Sequence, residues 1–464
     1  MSKTATSYMF GREAIFSPVE EVNESNVVNV LQTSLLKHSQ NSAQMDYLYS
    51  YYRGIQPILS RVKTIRPEIN NKIVENHALE IVSFKTGYVF GEPVQYVRRG
   101  EGDGVSEKIT QLNEFMFSEG KPARDKELAE WFSICGTSYR MVLPSDDPLA
   151  DSPFQLDSLD PRFAFVVYSN RFGKRPLMGV KYITDENDVK LYSVYTINKY
   201  FEIKGEKITK NQDHVLGVIP IIEYPANSAR LGAFEVVLGL LDAINTTASN
   251  RLDGIEQFVQ AFMKFINCDI DEEQFIALAQ MGAIKIKGEP GNPADVDIVS
   301  RELNQSQIQV TKDDIYQMIL IICGMPDRNG SSTSTGDTGQ AVILRDGWSS
   351  AESRARDTEL EFKESEKLFL KLVLRIVRDS AKLDLKIGDI DIKFTRNKTD
   401  NLLVKTQGLQ NMLEAGINPQ IAIANSGLFS DPEQTYLDSV EYLKKWLAAP
   451  PTVTTSNQKE NPKG

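Results

Sequence analysis

The sequence predicts a mainly α-helical chain with an inserted antiparallel β unit, an α+β protein. Apolar residues recur at spacings of three and four over long stretches before residue 135 and after residue 231, which is typical of amphipathic helices. Between about residues 139 and 210, β-branched and aromatic residues instead fill short runs separated by turn sequences such as DENDV. The chain of 464 residues is long enough for two to four structural units.

The N-terminal elements follow from helix stop signals and composition. Gly54 and Pro57 should end the first long helix, and the GEP turn at residues 91–93 should precede a strand. In chain order, we expect a loose arm (1–18), a helix (18–53), a helix (67–84), a strand (VQYVRR), a surface loop (100–106), a helical stretch (107–134) and the β unit (139–210), closed by an extended segment (217–227).

The C-terminal half is predicted to return to helices around one small insert. In chain order, we expect a long helix (232–266), a compact insert with a short helix and two strands (267–308), a second helix (311–324), a polar loop, a very long helix (337–383), a strand (DIDIKFTR) and two or more helices (399–415 and 433–447) before a tail of disordered composition. The longest helix would be a rod of roughly 60 Å. Its apolar positions need a partner surface, and copies of the same chain packed side by side would close into a ring.

Composition and charge exclude several classes of protein. Lys and Arg total 52 against 63 Asp and Glu, a net charge of −11, so tight nonspecific DNA binding is not expected, although a wall that lets DNA slide remains compatible. Three scattered cysteines without a CxxC pair indicate a reducing compartment and no zinc cluster or disulfide scaffold. No apolar run reaches membrane-span length, and the N-terminus lacks a signal-peptide layout, so we expect a cytoplasmic location and no membrane partner.

The search for catalytic motifs yields one candidate. Nucleotide hydrolysis is not expected, because no GxxxxGK[ST] loop occurs. Asp389, Asp391 and Lys393 alternate on a predicted strand and share one face, where two carboxylates could hold a divalent metal as in nucleases. The same alternation is also the default of a half-buried strand. We therefore predict no cofactor, no metal and no enzyme, and keep a metal-dependent nuclease as an alternative.

The polar stretch PDRNGSSTSTGDTG at residues 326–339 stands between two strong helix patterns. It could cradle a phosphate at a helix N-terminus, or it could be a flexible connector that ends in a good helix cap at Asp337 or Thr338. Neither reading can be chosen from composition alone.

Several colinear segments resemble the portal proteins of tailed double-stranded DNA phages, of the type common in siphoviruses of Gram-positive hosts. Most of the resemblance lies in YYRGIQPILSR (51–61) and RPEINNKIVENHALEIVSFKTGYVFGEPVQY (66–96). Further segments follow in the same order, namely DPRFAFVVYS (160–169), IPIIEYPAN (219–227), MGAIKI (281–286) and CGMPD (323–327). The resemblance covers about residues 45–445.

The resemblance implies the portal fold, assembled as a ring that is typically a dodecamer. The implied parts are a wing (1–231), a stem helix (232–266), a clip (267–308), a second stem helix (309–325), a tunnel loop (326–340), a long wing helix with a returning strand (341–398), a crown (399–447) and a disordered tail (448–464). This order matches the order of elements that the residue patterns predict.

The resemblance also implies a role as the DNA conduit at one capsid vertex, used in packaging and ejection, without ATP hydrolysis by this chain. The implied partners are copies of itself, double-stranded DNA, the terminase large subunit, a head-completion adaptor, and scaffolding and major capsid proteins, in the virion and in the host cytoplasm during assembly. The tunnel loop would face DNA with Asp327, Arg328, Asn329, Gly330, Ser331, Ser332, Thr333, Ser334, Thr335, Gly336 and Asp337.

The clip would dock the terminase or the adaptor. Its candidate docking residues are Asp271, Glu272, Glu289 and Asp295, which could equally be ordinary solvated charges. A purely structural capsid protein without a DNA role remains a further alternative.

Overall fold

The computed structural model of the chain describes residues 11–64, 66–99, 104–147, 149–259, 262–266, 295–299, 305–327, 347–396, 402–429 and 432–448. The helices are α1 (Val27–Tyr52), α2 (His77–Phe90), α3 (Val105–Ser118), α4 (Lys121–Cys135), α5 (Leu238–Val259), α6 (Gln305–Cys323), α7 (Trp348–Ala381), α8 (Leu402–Glu414), α9 (Pro419–Ser426) and α10 (Pro432–Ala448). The α+β class predicted from the sequence is confirmed.

Thirteen strands lie within these ranges. They are β1 (Ile15–Ser17), β2 (Gln95–Arg98), β3 (Thr137–Pro144), β4 (Phe154–Leu159), β5 (Ala164–Ser169), β6 (Pro176–Thr184), β7 (Lys190–Tyr195), β8 (Lys199–Lys204), β9 (Lys207–Asp213), β10 (Ile221–Pro225), β11 (Phe262–Ile266), β12 (Asp295–Val299) and β13 (Ile390–Lys393).

The predicted β unit consists of two sheets. The larger sheet has the strand order β1-β5-β6-β7-β8-β9, and the smaller has the order β10-β3-β4. Neighbouring strands are antiparallel except β1, which runs parallel to β5. The turn at DENDV joins consecutive strands, as the sequence predicts, and a second turn at Gly205 joins β8 to β9. Two isolated pairs, β2 with β13 and β11 with β12, complete the strand pairing of the described residues.

Within the described ranges, three hydrophobic clusters organise the fold, and the two longest helices of these ranges, α1 and α7, cross them. The first half of α1 packs on the large sheet through Val27, Val30 and Leu31, whereas its second half, with Met45 and Leu48, packs near α5 and α6. Helix α7 crosses the remaining cluster with α3, α4, β2 and β13. Its 34 residues make a rod of about 51 Å, of which one side is buried.

Several elements differ from the sequence-based expectation. Residues 11–18 are not a loose arm, because β1 adds to the sheet edge and the buried Arg12 pairs with Glu235. Helix α1 begins at residue 27 rather than 18, and α2 at 77 rather than 67. The helix predicted for 232–266 covers only Leu238–Val259 and is followed by β11. The longest helix is seen from Trp348, and its predicted start lies outside the described residues.

Four charged side chains meet inside the cluster around α7. Arg140 of β3 forms ion pairs with Asp125 of α4 and with Glu366 of α7, the latter at 3.3 Å. Lys121 lies 2.5 Å from Asp125 and 2.9 Å from Glu366. All four side chains are almost completely buried. Two cations therefore neutralise two anions without solvent.

Aromatic rings complete this buried charge cluster. The Tyr224 hydroxyl donates to Glu366 at 2.6 Å, and the Tyr96 hydroxyl donates to its other oxygen. The Arg140 guanidinium lies over the rings of Tyr224 and Phe369, with its carbon 5.0 and 4.9 Å from the centroids. Although burial alone would raise the pKa of Glu366, Lys121 and Arg140 lower it, so the carboxylate stays ionised.

Glu366→Gln should destabilise the fold by about 3–5 kcal/mol, because it leaves two buried cations with one carboxylate. The matched control is Glu364→Gln on the same helix, whose side chain is 73% exposed and whose effect should stay within about 0.5 kcal/mol. Urea unfolding followed by circular dichroism measures both variants. Equal unfolding midpoints for the two would contradict the structural role of the cluster.

Candidate functional site

Helices α5 and α6 form a pair that carries an excursion of the chain at one end. The pair is joined by a hydrogen bond from Arg251 to Gln309 at 2.6 Å. Beyond α5, strand β11 pairs antiparallel with β12, so that Ile266 lies opposite Asp295. The chain therefore leaves α5 and returns to α6 at the same end of this helix pair. Of the candidate docking residues, Asp295 starts β12, while Asp271, Glu272 and Glu289 lie outside the described residues.

The other end of α6 adjoins the start of α7. A Cβ placed on Gly347 would lie 3.5 Å from the Met325 carbonyl oxygen and 3.6 Å from the Pro326 Cα. The two ends of the segment 327–346 thus stand side by side. Asp327 is the one candidate loop residue in the described part of the chain, and its carboxylate accepts a hydrogen bond from Gln317 at 2.8 Å. Residues 328–337 lie outside it.

The C-terminus of α6 is fixed by backbone and side-chain bonds. Gly324 adopts the left-handed conformation (φ 63°), and the Met325 N–H donates to the Leu320 carbonyl at 2.8 Å, which closes the helix. The Lys85 ammonium donates to the Cys323 carbonyl at 2.8 Å. Burial lowers the pKa of Lys85, but the helix terminus offers a partner for its charge. The base of the segment is therefore anchored to α2.

A strap of residues 70–76, which sequence periodicity assigns to a helix, lies along α5 instead. Its N–H groups at 71, 73 and 75 donate to side chains of α5 at 2.8, 3.0 and 2.8 Å. The acceptors are Asp253, Ser249 and Asn245, one helical turn apart on one face and all buried. The strap thus obtains from a helix the partners that a neighbouring strand would supply.

Cations and a helix cap hold the two ends of the strap. Lys63 and Arg61 pair with Asp253 at 2.5 and 3.1 Å. Burial alone would raise the pKa of Asp253, but hydrogen bonds from Lys63 and Asn71 lower it. At the other end, the Asn76 side chain accepts the Leu79 N–H and caps α2.

His77 joins the strap to α6. Its two ring nitrogens lie 2.8 Å from Glu80 and 3.3 Å from Glu75. Glu75 also pairs with Lys312 of α6 at 2.7 Å, and Glu80 accepts from the Tyr316 hydroxyl at 2.9 Å. Burial alone would lower the pKa of His77, but these two carboxylates raise it to about 9, so the imidazolium is charged at neutral pH.

The predicted pair of strand carboxylates has other partners. Strand β13 does alternate, with Ile390 and Ile392 buried. Asp391 pairs with Lys393 at 3.0 Å, and the Asp389 carboxylate accepts the Lys386 N–H at 2.9 Å. No group of three or more His, Cys, Asp or Glu side chains within the described ranges could hold a metal ion. No helix in those ranges is long and apolar enough to cross a bilayer.

Sequence reasoning missed the three hydrogen bonds from the strap backbone to α5 (the ladder). It also missed the contacts of His77 with Glu75 and Glu80 (the His77 cluster). The available signal was the spacing of Asn245, Ser249 and Asp253, three polar residues four apart that share one face of the predicted helix. A polar stripe of this kind on a helix faces either solvent or another polar segment of the chain. The partner itself, residues 70–76, falls within the stretch quoted above for its family resemblance.

The family model of phage portal proteins of the SPP1 Gp6-like type matches residues 32–449 of the chain. Among solved structures, the chain is similar to one from the neck of an empty GTA particle computed with C6 symmetry, with 14% identity, a TM-score of 0.42, and coverage of 76% of this chain and 90% of that one. No curated protein matches the sequence.

Ser249→Ala should leave the Ile73 N–H without its acceptor and destabilise the strap by about 0.5–1.5 kcal/mol. The matched control is Thr246→Ala, which removes an exposed hydroxyl from the same helix that bonds only to the helix itself. Hydrogen exchange resolved by residue should show faster exchange at Ile73 in the first variant alone. Unchanged hydrogen exchange at Ile73 would contradict the hydrogen bond from its N–H to Ser249.

His77→Gln should cost about 1–3 kcal/mol at pH 6 and progressively less as the pH rises. The folded-state pKa of about 9 lies above the ordinary 6.5, so the stabilisation is complete below pH 6.5 and is lost as the pH rises through 9. The measurement is the difference in thermal midpoint between wild type and variant at several pH values. His214→Gln is the control, since burial lowers the pKa of that imidazole. A difference that does not shrink above pH 9 would contradict this assignment.

Proposed function

Since the chain belongs to the SPP1 Gp6-like family of phage portal proteins and is a portal protein of the capsid vertex, we propose that copies of it form a ring through which double-stranded DNA is packaged and ejected. The observation that carries the proposal is the family match over most of the chain. The helix pair adds support, since it has one chain excursion beyond α5 and another between α6 and α7.

Exposed apolar side chains support assembly with further copies. Helix α6 exposes Met318, Ile321 and Ile322, and α7 exposes Leu360 and Leu368. Clusters of exposed apolar residues on helices commonly mark protein interfaces. In a ring, one surface of each copy meets a different surface of its neighbour, so α6 and α7 need not contact themselves. The typical ring of this family, a dodecamer, is the assembly that we propose.

The parts of the ring follow the boundaries given in the sequence analysis, with stem helices α5 and α6. Residues 326–340 would be the tunnel loop and face DNA through Asp327 to Asp337. Their hydroxyl and amide groups with one arginine, Arg328, would give weak phosphate contacts, whereas many cations around a ring would sum to a tight grip. Weak contacts suit a wall along which DNA must slide.

The remaining partners also belong to this proposal. The clip, with Asp271, Glu272, Glu289 and Asp295, would dock the terminase large subunit during packaging and a head-completion adaptor afterwards. The wing would meet scaffolding and major capsid proteins while the ring is built into the shell in the host cytoplasm. In this scheme the chain itself performs no catalysis, and the terminase supplies ATP hydrolysis.

Ser332→Lys should slow DNA packaging several-fold at about 50 mM salt and much less at about 200 mM, because each copy adds one cation to the proposed wall and phosphate contacts weaken with salt. The measurement is DNA packaged per particle against time at both salt concentrations. Ser332→Gln is the matched control, with a side chain of similar length and no charge.

Native mass and negative-stain imaging of the purified variants provide the second readout. Twelve chains of 52.1 kDa make about 625 kDa, and wild type and both variants should form such rings with a central channel. Rings with unchanged packaging by Ser332→Lys would contradict the DNA-facing loop. A chain that stays monomeric at all salt and protein concentrations would contradict the conduit itself.

A further inference from the structure

Helix α6 presents a face that combines apolar and acidic side chains. This acidic face is formed by Val310, Asp313, Asp314, Met318 and Ile321, which helical spacing places on one side of α6. The three apolar side chains are 58%, 45% and 74% exposed in that order, and both aspartates are exposed. Ile319, on the opposite side of α6, is fully buried. The acidic face therefore points away from the fold of its own chain.

A second exposed apolar surface lies in the segment that follows α1. Ile55, Leu59 and Val62 are 60%, 42% and 83% exposed, whereas Gln56 and Ile58 between them are buried. Three large apolar side chains are thus exposed within eight residues. Clusters of exposed apolar side chains commonly mark protein interfaces.

Cations accompany this second surface. Residues 53–72 contain five Lys and Arg but one carboxylate. The Arg53 guanidinium lies 5.7 Å from the Tyr49 ring centroid, and the Lys72 ammonium donates to the Leu59 carbonyl at 2.8 Å, but no carboxylate of the described residues pairs with either cation. We call the surface formed by Arg53, Ile55, Leu59, Val62 and Lys72 the basic surface.

The acidic face and the basic surface flank α5 from opposite sides. Asp253 of α5 pairs with Arg61 at 3.1 Å, whereas Arg251 donates to Gln309 of α6 at 2.6 Å. Two residues along a helix differ in direction by about 200° and in height by about 3 Å. The two surfaces therefore lie at a similar height on opposite sides of α5. A ring requires such an arrangement, because each copy meets the next through a different surface.

We propose that the acidic face of one copy packs against the basic surface of the next copy in the ring. The three exposed apolar side chains of each surface would be buried together, and the two aspartates would pair with the two cations. Complementary charge would favour this pairing and disfavour contact of like surfaces. The inference rests on the proposed function and names the contact between neighbouring copies.

A second copy fits the basic surface better than DNA does. Phosphate contacts use cations and polar groups, so DNA would leave the three apolar side chains without partners. The acidic face supplies apolar side chains and carboxylates together, and every copy carries it. The observations thus favour a protein surface of this same chain.

Cysteine crosslinking in purified rings tests the contact. The full chain carries Val62→Cys, Val310→Cys or both, in a background in which Cys268 is changed to Ser, and a short bifunctional maleimide is added. Cys135 and Cys323 are buried and should not react. We expect the double variant to give a ladder of crosslinked chains on a denaturing gel, and each single variant to give none. Val62→Cys combined with Val215→Cys, whose valine is 85% exposed, is the matched control.

Charge reversal tests the proposed ion pairs in the same rings. Asp313→Lys with Asp314→Lys should lower the ladder yield about tenfold or more, because cations would then face cations. Adding Arg53→Glu with Lys72→Glu to the same chain should restore the yield. Equal yields from all these forms would overturn the charge pairing.

The remaining outcomes separate the contact from the ring itself. Crosslinked dimers from either single-cysteine variant would show like surfaces in contact and overturn the proposal. Rings of the expected native mass without a ladder would overturn this contact and leave the proposed function standing. If Arg53→Glu with Lys72→Glu reduced DNA retention by the rings but left the ladder unchanged, the basic surface would be a DNA contact instead. A chain that forms no ring under any condition would overturn the proposed function and the inference together.

Discussion

A half-buried backbone segment without a strand beside it needs hydrogen-bond partners on side chains, and the strap finds them on α5. Each turn of the helix presents one polar acceptor, and each second residue of the strap presents one N–H donor. The two repeats match because two residues of the strap span roughly the length of one helical turn. Helix α5 is thus attached to the strap by polar contacts rather than by apolar packing alone.

Polar contacts fix the positions of α5 and α6 more strictly than apolar packing would. Apolar contacts tolerate sliding, whereas a hydrogen bond is lost when its donor and acceptor shift apart, at a net cost of about 0.5–1.5 kcal/mol. The His77 cluster and the Lys85 contact with the Cys323 carbonyl attach α6 to α2 in the same way. Both helices of the pair are therefore fixed in register to the strap and α2. The cluster around Arg140 fixes α4, β3 and α7 by a similar principle.

The sequence predicted elements whose signals are local and missed those that depend on distant partners. Gly54 and Pro57 lie just after the end of α1, as the helix stop signals predict. The turns of the β unit likewise lie at sequences rich in the residues that favour turns. The strap was predicted as helix because Ile69, Ile73 and Val74 continue the apolar spacing of α2, but the cap at Asn76 starts the helix later. The apolar run after Val259 is strand because residues 295–299 pair with it, and short apolar runs do not distinguish helix from strand.

Buried ion pairs and the surplus of acidic residues have separate consequences for the molecule. Inside, Arg140 and Lys121 pair with Glu366, and Arg61 and Lys63 pair with Asp253, so these charges hold the fold and are not available to a ligand. The net charge of −11 therefore comes from residues outside these pairs, and in the proposed ring it would repel DNA from nonspecific attachment.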